Sequence, residues 1–190
     1  MGIEFELKFR ANPEILEKIK NAYPDGEEIR MQTTYYDAAD GSLSAKKFTL
    51  RKRQENDESV CTLKTPLDGA GRGEFETRSE SIENAIPELC KLSGEELPTQ
   101  NLVEVCGARF TRYAKTVTFA DSVLEIAADA GVLLGGGKEQ PLYEVEVELK
   151  SGSRESVVVF AQALATTYGM QKEEKSKFKR ALELAKNGRF

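Results

Sequence analysis

The chain has no histidine and no tryptophan, only three cysteines, and no long apolar run. Without imidazole, Ser-His-Asp and Cys-His pairs are excluded as catalytic devices, and so is a histidine metal site. Any metal must then be held by carboxylates and water, a donor set suited to hard cations such as Mg²⁺, Mn²⁺ or Ca²⁺. Cys61, Cys90 and Cys106 are odd in number and scattered, with no metal-ligand or redox spacing. A reduced, cytoplasmic compartment is therefore the expectation. The short apolar runs exclude a transmembrane helix and a membrane partner. Met1-Gly2 leads straight into a strand pattern with no signal peptide, and Glu6 stands where a myristoylation signal at Gly2 wants Ser or Thr. The balance of 27 basic against 32 acidic residues, net −5, argues against nucleic-acid binding, which leans on a basic surface. It leaves room for a locally positive cleft.

What is present is alternation. At 190 residues, 31% of them charged, the chain reads as one domain over 1–190 with room for a sizeable core. Glu4-Phe5-Glu6-Leu7-Lys8 and Glu144-Val145-Glu146-Val147-Glu148-Leu149-Lys150 alternate charge with apolar residues, as strands with two unlike faces do. Further strands are predicted at about 29–37, 47–55, 58–65, 73–79, 109–119 and 122–129, with Asn56-Asp57 as a hairpin turn. Asn12-Pro13 starts a helix that ends near Tyr23. Residues 81–92 read as a helix limited by Pro87, and 99–107 as a short helix after Pro98. Ser153 caps a helix stopped by Gly169, and a last helix is expected over 173–186. Gly135-Gly136-Gly137 reads as a turn, because it lacks the strand-to-helix setting of a P-loop. The class is α+β: an eight-stranded antiparallel barrel with peripheral α-helices.

Taken by parity, Glu4, Glu6 and Lys8 share a face. So do Lys47, Thr49, Arg51 and Arg53; Thr62 and Lys64; Glu74, Glu76 and Arg78; Glu125 and Asp129; and Glu144, Glu146 and Glu148. For one strand, a solvated outer face is the bland explanation. Across the set, like charges are segregated by strand, and clustered like charges persist where a ligand compensates them. Converging carboxylates can hold divalent cations, and nearby Arg and Lys can neutralise phosphates. Such a site suits phosphoryl transfer, which needs positioning and charge neutralisation more than a nucleophilic side chain.

Glu4-x-Glu6-x-Lys8 resembles the N-terminal ExExK signature of the CYTH proteins, also called triphosphate tunnel metalloenzymes. The similarity continues through Tyr35-Tyr36-Asp37, Leu50-Arg51-Lys52-Arg53, Thr62-Leu63-Lys64, Gly73-Glu74-Phe75-Glu76, Glu125-x-x-x-Asp129, Glu144 to Glu148 and Ser176-Lys177-Phe178. The motifs follow the family's order along nearly the whole chain. The resemblance implies a tunnel that binds a triphosphate with Mg²⁺ or Mn²⁺. It implies Glu4, Glu6, Asp129, Glu146 and Glu148 as metal ligands. Lys8, Arg51, Arg53, Lys64, Arg112 and Lys177 become phosphate-binding residues, with Glu76 and Glu125 as supporting carboxylates. Lys8, Arg53, Glu146 and Lys177 are the candidate catalytic residues. Thr111-Arg112 favours Arg112 over Arg109, and Ser-Lys-aromatic favours Lys177 over Lys175. Tyr35 and Tyr36 read as packing residues.

The implied activity is metal-dependent hydrolysis of inorganic triphosphate to pyrophosphate and phosphate. The alternatives are an organic triphosphatase (for thiamine triphosphate or a nucleotide), a class IV-type adenylyl cyclase and a non-catalytic polyphosphate binder. The partner is a small-molecule triphosphate, and the oligomeric state stays open.

Overall fold

A computed structural model describes residues 2–67 and 72–187, with side chains from residue 5 onward. In chain order the elements are β1 (Gly2–Glu4), β2 (Glu6–Arg10), α1 (Pro13–Ala22), β3 (Glu27–Ala38), α2 (Ser42–Ala45), β4 (Thr49–Glu55), β5 (Glu58–Pro66) and β6 (Arg72–Arg78). They continue with α3 (Ile82–Ser93), β7 (Leu102–Phe119), β8 (Ser122–Gly135), β9 (Lys138–Ser151), α4 (Arg154–Tyr168), β10 (Gln171–Lys172) and α5 (Lys177–Lys186). All strands belong to one antiparallel sheet, in the order β1-β6-β5-β4-β3-β7-β8-β9-β2-β10.

The N-terminal run, interrupted at Phe5, pairs with β6 through β1 and with β9 through β2. It therefore bridges the two ends of the curved sheet and gives it the form of a tunnel. Counted as one run, β1 and β2 bring the long strands to the expected eight, and the two-residue β10 is an addition.

The alternation sorts outside from inside. Val145, Val147, Leu124 and Ile126 point outward and pack with Leu16 and Ile19 of α1 and Val157, Ala161 and Leu164 of α4. Leu50, Leu63 and Phe75 pack beneath Ile82, Ile86 and Leu89 of α3. Removing these apolar faces from water is what holds the charged faces inward. Toward one end the inner face turns apolar: Phe110, Leu133 and Leu142 pack with Ala181 of α5. The glycines of the β8–β9 turn permit that helix to lie close, because a Cβ on Gly135 would stand 2.4 Å from the Ala181 carbonyl oxygen.

The helix starts follow their caps. Asn12 accepts from Ile15 N at 2.9 Å, and Ser81 accepts from Asn84 N at 3.2 Å. Two expectations change. Residues 99–107 are not helical: β7 begins at Leu102 and pairs with the end of β3, Ala38 opposite Leu102. Val103, Val105 and Cys106 suit that pleated surface better than a helix. The helix expected over 81–92 is α3, which carries Pro87 inside it and runs to a left-handed Gly94 with φ 73°. The last helix starts at Lys177, not near 173, because Glu173 N bonds the Lys8 carbonyl at 2.8 Å and keeps that stretch extended beside β2. Ser176 is its cap, accepting from Lys179 N at 3.1 Å.

Candidate active site

The inner face surrounds a cavity of about 390 Å³. Residues directly opposite in antiparallel strands share a face, so the register builds the walls. Arg112 lies opposite Asp129, and Asp129 opposite Glu144. Lys8 lies opposite Glu146, and Glu6 opposite Glu148, which also faces Glu125. Across the cavity, Arg51 is opposite Thr62 and Thr62 opposite Glu76, while Thr49 is opposite Lys64 and Lys64 opposite Glu74.

The wall made by β7, β8, β9 and β2 holds a buried charge lattice. Arg112 grips Asp129 with two bonds of 2.8 Å and reaches Glu146 at 2.5 Å. From α5, Lys177 Nζ meets Asp129 at 2.8 Å, Glu144 at 2.5 Å and Glu146 at 2.7 Å. Arg180, three residues on, pairs with the other oxygen of Glu144. For Glu146, burial opposes the charge, but Lys177 and Arg112 outweigh it and hold the carboxyl well below its ordinary range. Asp129 is lowered by the same two cations against its burial. Lys177 and Arg112 are raised in turn: burial disfavours their charge and the surrounding carboxylates outweigh it. Glu144 is pushed up to about 7 by burial, with Lys177 and Arg180 opposing.

In the wall made by β3 to β6 the ion pairs among the described residues are longer. Arg51 stands 3.4 Å from Glu74 and 3.8 Å from Glu76, and Lys64 is 3.1 Å from Glu74. Arg53 is buried, donates to Thr33 Oγ1 at 3.2 Å and is 3.5 Å from Glu55. Its pKa is pulled down to about 10, first by burial and then by the like charges of Arg51 and Arg112. A buried guanidinium held among other cations is a place where an anion is stabilising.

The sequence-predicted residues fall as follows. Glu6, Lys8, Arg51, Arg53, Lys64, Glu76, Arg112, Glu125, Glu146, Glu148 and Lys177 all line the cavity. Asp129 is fully buried behind Arg112 and Lys177. The Glu4 side chain lies outside the described residues. Among the described residues, the acidic group whose ligand atoms approach within 4.8 Å of one another is Asp129, Glu144 and Glu146. Glu6 and Glu148 stand farther along the wall, Glu6 with Lys8 at 3.1 Å and Glu148 with Lys150 at 3.0 Å. Arg109 is exposed and pairs with Glu139 outside, and Lys175 is exposed and pairs with Glu183. Lys47 and Arg78, grouped by parity with the inner faces, are exposed, Lys47 in the turn before β4 and Arg78 at the end of β6. Tyr35 is buried and packs on Phe178 with ring centroids 5.1 Å apart.

Lys150, Arg72, Glu55 and Arg180 were missed. Lys150 contacts Glu125 at 3.4 Å as well as Glu148 and lines the cavity, as two-residue parity from Glu148 implies. Arg72 shares the parity of Glu74 and donates to the carbonyls of Lys47 and Lys64 at 2.9 and 3.2 Å. Glu55 extends the parity of Arg53, and Arg180 lies on the Lys177 face of its helix.

The fold and its facing acidic and basic walls define a β-tunnel with a charged interior. The CYTH domain family model matches residues 2–182, and the chain belongs to that family. An inorganic triphosphatase of Haemophilus influenzae is 33% identical over 190 residues, covering 93% of this chain and 53% of that protein. The chain thus spans about half the length of that curated relative. Among solved structures, the Hippeastrum protein HpAC1, described as a candidate adenylyl cyclase with a dominant triphosphatase activity, superposes with a TM-score of 0.67. It is 19% identical and covers 100% of this chain and 97% of its own. The PH1819 protein of Pyrococcus horikoshii also gives a TM-score of 0.67, at 22% identity over 95% of this chain and 99% of its own. No helix among the described residues is long and apolar enough to cross a membrane.

Proposed function

We propose that this chain hydrolyses inorganic triphosphate to pyrophosphate and phosphate in the tunnel, with Mg²⁺ or Mn²⁺. The observation that carries this reading is Arg53, buried in the β3–β6 wall with its pKa drawn down to about 10 by burial and by neighbouring cations. Its natural complement is a polyanion, and Arg51, Lys64, Lys8 and Arg112 line the same cavity. The relative from Haemophilus influenzae bears the same activity in its name. The aromatic pair in the cavity wall, Tyr35 and Phe178, packs against itself at a tilt of 45°, which favours a substrate without a base to stack.

The donor set fits a hard divalent cation, since every acidic ligand available is a carboxylate oxygen. Glu6, Glu146 and Glu148 would hold it, joined by Glu4 and Asp129. Bound there, a cation lowers the pKa of a water and neutralises phosphate charge. The protein's own part is electrostatic. Arg51, Arg53 and Lys64 take phosphate oxygens along one wall, and Lys8, Arg112 and Lys177 take them along the other. Water adds to a terminal phosphorus and gives up a proton to solvent, the bond to the bridging oxygen breaks, and the Arg and Lys side chains neutralise the charge left on pyrophosphate. We read residues 1–190 as one such domain, working in the cytoplasm on a small molecule.

The test is kcat/KM for tripolyphosphate, thiamine triphosphate and ATP, with Mg²⁺ or Mn²⁺. Tripolyphosphate should lead the organic substrates by about tenfold or more, because specificity is the ratio of these values. A lead for thiamine triphosphate or ATP, cyclic AMP formed from ATP, or tight tripolyphosphate binding without turnover would refute the reading.

A further inference from the structure

We propose that Arg180 is a positioning residue that takes up the charge of Glu144 and so leaves Lys177 able to donate to a phosphate in the cavity. This rests on the reading of the tunnel as a tripolyphosphate site. A lysine ammonium has three donors, and in this structure Lys177 Nζ meets three carboxylates, Asp129, Glu144 and Glu146. Two of these contacts, to Glu144 and Glu146, are hydrogen bonds, so a phosphate oxygen that binds Lys177 competes with those carboxylates for its donors. How hard that is depends on what else compensates each carboxylate.

Asp129 and Glu146 both have the Arg112 guanidinium as a second cation. Glu144 does not touch Arg112; its second cation is Arg180, which takes one carboxylate oxygen while Lys177 takes the other. Lys177 and Arg180 stand three apart on α5, on one face of the helix. Arg180 is braced from behind, with Nη1 3.8 Å from Glu173, which is buried and also accepts from Arg10 Nε at 2.7 Å. The Glu173 backbone is bonded in turn to the Lys8 carbonyl, so the brace is tied to the tunnel strand that carries Lys8. Without Arg180, Glu144 would keep Lys177 as its cationic contact among the described residues. In a site this dry an ionised Glu144 would hold that ammonium against the wall.

The experiment compares wild type, Arg180→Gln, Arg180→Lys and Arg180→Gln/Glu144→Gln, by tripolyphosphate kinetics with Mg²⁺ and by calorimetric tripolyphosphate binding without divalent cation. Arg180→Gln should raise KM and weaken metal-free binding by roughly tenfold with kcat changed less than about twofold, the pattern of lost ground-state binding. Arg180→Lys should recover most of the loss. Adding Glu144→Gln removes the competing charge and should bring KM back toward wild type, a non-additivity expected of residues acting as one unit. Loss of this lattice member lowers the melting temperature on either view; a merely structural role would lower kcat and leave KM alone. Unchanged KM in Arg180→Gln, or a KM rise that persists at full size in the double variant, overturns the inference. Wild type that neither hydrolyses nor binds tripolyphosphate would instead refute the proposed function, and this inference with it.

Discussion

The two walls of the tunnel solve the problem of buried charge in opposite ways. In the β7–β8–β9–β2 wall, each of Asp129, Glu144 and Glu146 meets two cations supplied by Arg112, Lys177 and Arg180. In the β3–β6 wall, the ion pairs of Arg51, Arg53 and Lys64 among the described residues are longer, at 3.1 to 3.8 Å, and Arg53 sits among like charges. In the first arrangement each carboxylate is doubly paired, so removing one member leaves charge stranded. In the second, burial and the like charges of Arg51 and Arg112 disfavour the charge of Arg53, so on our reading removing it relieves repulsion and weakens anion binding. On our reading, the paired charges of the first wall both brace the fold and, with Glu6 and Glu148, serve the cation and phosphate, while Arg53 in the second is held for an anion.

Four measurements would break or sharpen that contrast. The largest effect is expected in the acidic wall: Asp129→Asn leaves Arg112 and Lys177 undercompensated and should cost about 3–5 kcal/mol in denaturant unfolding. A loss below about 1 kcal/mol would show that the lattice is not holding this wall. Arg53→Met, in the other wall, should weaken tripolyphosphate binding by about 100-fold, as expected for losing charge-assisted bonds worth ~2–3 kcal/mol. Its unfolding free energy should stay level or rise; a destabilisation as large as that of Asp129→Asn would erase the distinction between the walls.

The third is an acid titration of stability. Asp129 and Glu146 are depressed in the folded state, so their contribution is full above the ordinary carboxylate range near ~4 and is lost as pH falls through the lower folded values. Wild type should therefore lose stability below about pH 4 more steeply than Asp129→Asn. Parallel curves would contradict the assignment. The smallest effect is in the thiols. Burial pushes Cys61 up to about 11 and Cys106 up to about 12. Both should alkylate slowly at pH 8 until the protein unfolds, because the thiolate is the reactive form. Rapid labelling of either in the native state would show that its wall opens.

The strands and the sidedness of their charge were legible because two-residue parity is local, and it correctly put Glu6, Arg51 and Glu146 on the inner face. The same parity, read one step further, would have added Lys150 and Glu55. It could not say that Lys177 would sit among three carboxylates, since that depends on α5 crossing the sheet over Gly135. Nor could a local reading find that 99–107 extends, because its pairing with Asp37 and Ala38 is a long-range event. The start of the last helix was misplaced for the same reason: Glu173 looks like helix surface until its backbone is seen bonded to Lys8.

The most direct test of the whole account is phosphate release from tripolyphosphate with Mg²⁺ or Mn²⁺, for wild type beside Glu146→Gln and Arg53→Met. The account predicts metal-dependent release by wild type, a strong loss of turnover in Glu146→Gln, and a raised KM in Arg53→Met. No release by folded wild type, or full activity in both variants, would contradict it.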